Sequence, residues 1–212
     1  MKNLFVITND RIDEKKNFFY TNSSDLENIL EAFSKKTIFL LCRKFKTRKN
    51  YKLKKKKIKH INLFKFFENV EKNDKILFIS ITPFNFINLI FFKIFLKRRV
   101  DIYLYLRSDG FKEYRIKFKF FGYLLYSLMF FFFKRFTKII ACSNNLSHVK
   151  KFVYVDPSKI DKNWLKNRVK PKLNDVKLLY VGRMKKEKGI FLFIELIKQL
   201  PYKYQLTILG SK

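Results

Sequence analysis

The feature that most constrains this chain is an alternation. Short runs that are apolar at nearly every position are separated by stretches whose apolar residues recur at helical spacing. Leu4–Thr8 (LFVIT), Thr37–Leu41 (TIFLL), Lys75–Ser80 (KILFIS), Val100–Leu106 (VDIYLYL) and Thr137–Ala141 (TKIIA) read as strands. Strands apolar on both faces must be covered on both faces. When they alternate with helices they specify a parallel sheet between helical layers. The helical stretches lie between them. Ser24-Asp25-Leu26-Glu27 has capping-box spacing ahead of Leu26, Ile29, Leu30 and Phe33. Ile61–Phe67 predicts a short helix, and Pro83 suits the first turn of a helix reaching about Leu96. A long apolar helix is expected over 114–134, and Ser143 stands where it would cap the helix after the fifth strand. The expected fold class is α/β, a doubly wound parallel sheet over residues 1–155.

The polar segment 156–175, with Pro157, Pro171 and a lone Trp164, reads as an interdomain linker. The alternation then restarts. Lys177–Val181 (KLLYV) predicts a strand, Ile190, Phe193, Ile194, Ile197 and Leu200 a helical stripe, and Tyr204–Leu209 (YQLTIL) a second strand. One βαβ unit over 176–212 is too small to bury a core of its own. The expectation is the incomplete start of a second domain, in a chain that is a fragment of a longer protein.

Composition narrows the function classes. Lys and Arg number 48 against 17 Asp and Glu, a net charge of +31, yet 48% of the residues are hydrophobic. So apolar a chain is no disordered polybasic tail. With 5 Gly and 4 Pro it is not collagen-like, and with 2 Cys it is not a disulfide scaffold. Lys and Phe have A/T-rich codons, so base composition accounts for part of their abundance; the scarcity of acids is harder to explain that way. The start has only a short apolar run before charge, unlike a secretory signal. Phe120–Phe133 holds 14 uncharged residues, short of the ~18–20 of a bilayer span, and fits a buried core helix or an interfacial one. Residues 43–59 hold 11 Lys/Arg and no acid. That run, together with the Phe-rich helix and its basic flanks Arg115, Lys117, Lys119, Lys134 and Arg135, is read as docking on an anionic membrane, with plain solvated surface or nucleic-acid binding as the alternatives. It matches no nucleic-acid-binding module. His60 and His148 have no metal-ligand spacing, so no metal site is expected, and Cys42 and Cys142 read as buried free thiols.

Two segments carry candidate chemistry. In 178–200 a strand exits through Gly182, a basic loop follows, and a helix opens at Gly189. Glycine allows close backbone approach, and a helix start offers free N–H groups with a positive dipole end. Arg183 and Lys188 add charge at the same end. Together they form a seat for a diphosphate; the alternative is a tight turn with solvated lysines. Arg107-Ser108-Asp109-Gly110 follows the fourth strand, where open α/β sheets bind ligands. Arg107 could pair with an anionic group and Asp109 could take or hold a hydroxyl proton. The alternative is an Asp-Gly turn that caps a helix.

Gly182-Arg183-Met184 followed by Glu187-Lys188-Gly189 resembles the "G-R-hydrophobic … E-K-G" signature of family 4 glycosyltransferases, of the GT-B fold. IIACSNNL (139–146) resembles the family's last amino-domain strand with its Ser cap, and TILGS (207–211) resembles the strand that follows the loop and its helix. The similarity is specific over about 139–211 and diffuse before it. The resemblance implies two Rossmann-like domains, a nucleotide-diphosphate-sugar donor as substrate, no obligatory metal or cofactor, and transfer with retention. It assigns diphosphate contacts to Arg183 and Lys188, with Gly182, Gly189 and Gly210 lining the site, and sets Arg107 and Asp109 opposite as cleft residues. A lipid-linked or cell-envelope glycan acceptor and a cytoplasmic place on the inner face of the plasma membrane are expected with it. One departure concerns the first strand, where ITNDRIDEKK stands in place of the family's Gly-Gly loop. The second function class is a non-catalytic basic α/β protein that binds an anionic membrane or another polyanion.

Overall fold

The computed structural model describes residues 3–15, 18–21, 23–33, 37–44, 51–54, 58–96, 100–146, 152–155, 166, 177–182, 184, 186–200 and 205–210. The chain forms two compact units, Met1–Pro157 and Ser158–Lys212. The linker reading falls on residues that, apart from Lys166, lie outside the described set, as do Trp164 and His148.

The first unit is α/β with a mostly parallel sheet. Its elements are β1 (Asn3–Lys15), β2 (Phe18–Thr21), α1 (Ser24–Ala32), β3 (Thr37–Lys44), β4 (Tyr51–Lys54), β5 (Ile58–His60), α2 (Leu63–Asn69), β6 (Lys75–Ile79), α3 (Pro83–Phe95), β7 (Asp101–Leu106), α4 (Gly110–Phe136), β8 (Lys138–Ala141) and β9 (Val153–Tyr154). The parallel strands pair in the order β5-β3-β1-β6-β7-β8-β9. Numbered by sequence this is 3-2-1-4-5-6-7, the doubly wound arrangement whose order reverses between β1 and β6. The strand residues alternate between two cores as the pleat demands. Phe5, Ile7, Phe39, Ile76, Phe78, Ile102 and Leu104 meet α2, α3 and α4 on one face. Leu4, Val6, Ile38, Leu40, Leu77 and Ile79 meet Leu26 and Leu30 of α1 on the other. The α1 face opens toward β7 and β8 as an apolar trough lined by Ile29, Phe33, Tyr103, Tyr105 and Ile140. At the amino edge Asp74, buried, accepts hydrogen bonds from the backbone N–H groups of Asn3 and Glu71, both 3.0 Å, and ties β1 to the turn before β6.

Three sequence expectations need correction. The helix cap of α1 is Ser23, whose Oγ accepts from the Leu26 N–H; Leu26 then stands at the third helical position, so the Ser24–Glu27 capping box does not form. The first strand does not end at Thr8. It bulges between Ile7 and Arg11 and continues as an antiparallel ribbon with β2 and β4. The described parts of the basic run 43–59 are therefore strands: the end of β3, then β4, then the start of β5. His60 is structural, its Nε2–H donating to the Cys42 carbonyl at 3.0 Å.

The third correction is α4. Among the described residues it is the one helix long and apolar enough to cross a membrane if it were straight. It is not straight. Lys119, at φ 53° and ψ −133°, breaks it into limbs 110–118 and 120–136. In a straight helix residues 111 and 126 would lie about 22 Å apart. Here their rings meet with centroids 4.7 Å apart, and Tyr114 meets Tyr126 at 5.1 Å. The limbs are therefore folded back on each other as a helical hairpin. Gly122 permits the closure: a Cβ there would stand 2.1 Å from the Tyr114 carbonyl oxygen. Burial, with the Tyr114 hydroxyl and then Asp109 and Glu113 nearby, pushes the Tyr126 hydroxyl pKa up, and its ring packs in the core between the hairpin and the sheet.

The described residues 177–210 of the second unit form one βαβ repeat. β10 (Lys177–Val181) and β11 (Gln205–Leu209) pair in parallel, with a 3-10 turn (Lys186–Lys188) and α5 (Ile190–Lys198) between them. Tyr180 packs on Phe193 of α5, ring centroids 5.6 Å apart. The opposite face of the ribbon leaves Leu179, Val181 and Leu209 exposed.

Gly122→Ala is expected to force the two limbs apart and to lower the unfolding free energy by about 1–3 kcal/mol, as overpacking against backbone does. Denaturant titration of the variant beside the parent measures it.

Candidate functional site

In the first unit the polar groups gather at the carboxyl edge where the strand order reverses. This is the position at which open α/β sheets leave a crevice, because neighbouring helices depart to opposite faces. Three local devices build it. The bulge in β1 turns Thr8 and Asp10 toward each other: the Thr8 hydroxyl donates to Asp10 Oδ2 at 2.9 Å, and the Asp10 N–H donates to Thr8 Oγ1 at 3.0 Å. After β6 the chain takes a left-handed step at Ser80, φ 64°, uncommon for a residue with a side chain. Asn85, fully buried in the first turn of α3, locks that step by donating to the Ile79 and Ser80 carbonyls, both 2.8 Å. Its Oδ1 has no partner among the described residues. After β7, Arg107 reaches back across the crevice.

Arg107 is the hub. Its Nε donates to Ser80 Oγ at 3.0 Å, and its Nη1 donates to Ser23 Oγ at 3.2 Å and to Asp10 Oδ2 at 3.4 Å. Its own carbonyl accepts from Cys142 Sγ at 3.2 Å. One guanidinium thus joins β1, β6, β7 and the start of α1. About a quarter of the Arg107 side chain and a fifth of the Asp10 side chain remain exposed. The pair is therefore shielded, yet open to a ligand from the crevice side. Such a floor can present N–H donors to an anion, or carboxylate and hydroxyl acceptors to a sugar hydroxyl.

Asp109 does something else. It caps α4, Oδ1 accepting from the Lys112 N–H at 3.2 Å, with Lys112 Nζ 3.7 Å from Oδ2. Arg107 is turned to Asp10, Ser23 and Ser80, and Asp109 to the first turn of α4. The helix-capping alternative read from the sequence thus describes Asp109. Sequence reasoning missed Asp10, Ser23 and Ser80. The signal for Asp10 was present, since ITNDRIDEKK is where a glycine loop would otherwise stand. Cys42 is buried, and burial pushes its thiol pKa up, so it is held as the neutral thiol; Cys142 is partly exposed.

In the second unit Gly182 donates its N–H to the Leu209 carbonyl at 2.9 Å, which sets Gly182 beside Gly210 at the carboxyl edge of β10 and β11. Gly189 is the N-cap of α5 at φ 71°, and no side chain caps the helix. Tyr180 donates its hydroxyl to the Lys188 carbonyl at 3.0 Å, which holds the 3-10 turn over the strand. Lys188 is exposed. Gly182, Lys188, Gly189 and Gly210 thus share one end of the repeat, with the uncapped helix start among them. Arg183 lies outside the described residues. Among the described residues no group of three or more His, Cys, Asp or Glu could hold a metal ion.

Arg107→Leu is expected to lower the unfolding free energy by about 1–3 kcal/mol, because Asp10, Ser23 and Ser80 each lose a donor in a shielded site. Gly189→Ala meets no atom within 4 Å, so its cost is conformational only. About 1–2 kcal/mol is expected from the left-handed φ, with Gly189→Asn costing less. Thermal unfolding of the three variants checks both. Comparison with protein-family models and with curated proteins gives no match for this chain.

Proposed function

We propose that this chain belongs to a glycosyltransferase that moves a sugar from a nucleotide-diphosphate donor to a lipid-linked or cell-envelope glycan acceptor. In this reading the second unit contributes one wall of the donor site and the first unit serves the acceptor. The observation that carries it is the strand-to-helix connection after β10. It joins Gly182 and Gly210 on adjacent strand ends, a helix start without a capping side chain, and the G-R-M…E-K-G sequence that resembles family 4 glycosyltransferases. A diphosphate gains from all three elements: backbone approach at glycine, free N–H groups at the positive end of a helix, and the positive charge of the G-R-M…E-K-G sequence. Arg183 and Lys188 would stabilise the charge that develops on the departing diphosphate, which is an electrostatic role. Arg107, held by Asp10, would orient an acceptor hydroxyl or anionic group in the first unit, while Asp109 caps the start of α4. No metal or cofactor enters this scheme, and the sugar nucleotide is a substrate.

Titration of the protein with UDP, GDP and ADP tests the reading. At least one is expected to bind, and Arg183→Ala and Lys188→Ala are each expected to weaken it about tenfold or more, the loss of a charge-assisted phosphate contact. Lys198→Ala, at the far end of α5, is expected to change little. In a form active in transfer, Arg183→Ala is expected to abolish turnover with unfolding unchanged. Near-normal turnover in that variant overturns the assignment.

A further inference from the structure

The longer limb of α4 is apolar on two opposite stripes, and the sheet uses only one. Gly122, Tyr126, Met129, Phe130 and Phe133 repeat at helical spacing and are buried. Phe120, Phe121, Leu124, Leu125, Leu128 and Phe131 repeat on the other side and are exposed, Phe121 to 80%. A helix apolar all round is one that expects apolar surroundings all round. The stripe is not isolated. α3 packs beside this limb, Phe86 against Phe132 with centroids 5.5 Å apart, and leaves its own stripe of Ile87, Phe91, Ile94 and Phe95 exposed. At the bend, Phe118 is exposed too, and Arg115, Lys119, Phe120 and Tyr123 surround an open pocket. An exposed surface of this extent marks an interaction site.

Charge decides the occupant. Residues 114–155 contain no Asp or Glu, and Arg115, Lys117, Lys119, Lys134 and Arg135 are exposed around the aromatic stripe. A second copy of a +31 chain laid on this face would oppose cation to cation. An anionic bilayer accepts both parts, the rings in the acyl boundary and the cations among the phosphates, each near-surface Lys or Arg adding to the attraction. The folded helix also decides the depth. The longer limb, 120–136, spans about 25 Å, less than the ~30 Å hydrocarbon core, and its inner stripe is committed to the sheet. Such a limb suits a place in the interface and is too short to cross.

We propose that the α4 hairpin, with the outer stripe of α3, is a monotopic membrane-insertion surface specific for anionic lipid, with Phe118, Phe120 and Phe121 at its tip as the inserted rings. The proposal does not depend on the donor chemistry, so the two fail separately: vesicle binding and nucleoside-diphosphate binding are measured independently.

Flotation with phosphatidylcholine–phosphatidylglycerol vesicles and with phosphatidylcholine alone tests it. The protein is expected to float with the anionic vesicles and to remain behind with the neutral ones. The variant Phe120→Ser/Phe121→Ser, altered only at exposed positions, is expected to keep the parent's melting curve and to lose about tenfold or more in partitioning. Lys117→Glu/Lys119→Glu is expected to lose binding to the anionic vesicles. In a Trp164→Phe background, the indole introduced by Phe121→Trp is expected to be quenched by lipids brominated on the acyl chain. Equal partitioning of the Phe120→Ser/Phe121→Ser variant, equal binding to neutral vesicles, or vesicle-bound protein whose introduced indole is unquenched each overturns the proposal. So does a parent dimer in solution that the same double variant dissolves, since the second copy would then be the occupant.

Discussion

The parallel ladder of β1 with β3 on one side and β6 on the other is the interaction on which the rest of the first unit depends. Strands in parallel pairs must be joined by crossovers, and the crossover helices cover both faces. β1 therefore has to be apolar on both. Phe5 and Ile7 face the core shared with α2, α3 and α4, and Leu4 and Val6 face the core shared with α1. Charge on any of these four would expose one core to the cost of an unpaired buried group. Because β1 sits where the order reverses, its carboxyl end is also where the helices part and the crevice opens.

That crevice is shaped by a strand that does not stop. After Ile7 the bulge carries Asp10 sideways, and the rest of β1 leaves with β2 and β4 as an antiparallel ribbon. The place that a glycine loop and a helix start would leave for a phosphate is occupied here by Asp10 and the Arg107 guanidinium. The first unit thus presents a paired, hydroxyl-lined floor. The uncapped helix start that suits a diphosphate belongs to α5 in the second unit.

Much of the fold was legible because burial on both faces leaves a run of apolar residues that no other environment tolerates. Lys75–Ser80 and Val100–Leu106 read as strands, and β6 and β7 lie within a residue of those limits. Pro83 marked the start of α3. Less of the candidate site was legible. Arg107 and Asp109 are two residues apart, and nothing in their spacing says that one spans the crevice while the other caps a helix. Asp10, Ser23 and Ser80 meet Arg107 from 97, 84 and 27 residues away, separations that no local pattern records.

The amino-acid sequence by itself determined the α/β class, the parallel sheet, the restart at Lys177 and the excess of positive charge, because each is a property of composition or local period. The tertiary structure alone decided three things. It turned β1 into a bulge and ribbon, it gave Arg107 its partners, and it folded α4 into a hairpin instead of leaving a long straight helix. The physical reason is common to all three. Each is set by contacts between residues far apart in the chain, Tyr114 on Tyr126 among the nearest of them, and a period of two or of 3.6 carries no information about which distant surfaces will meet.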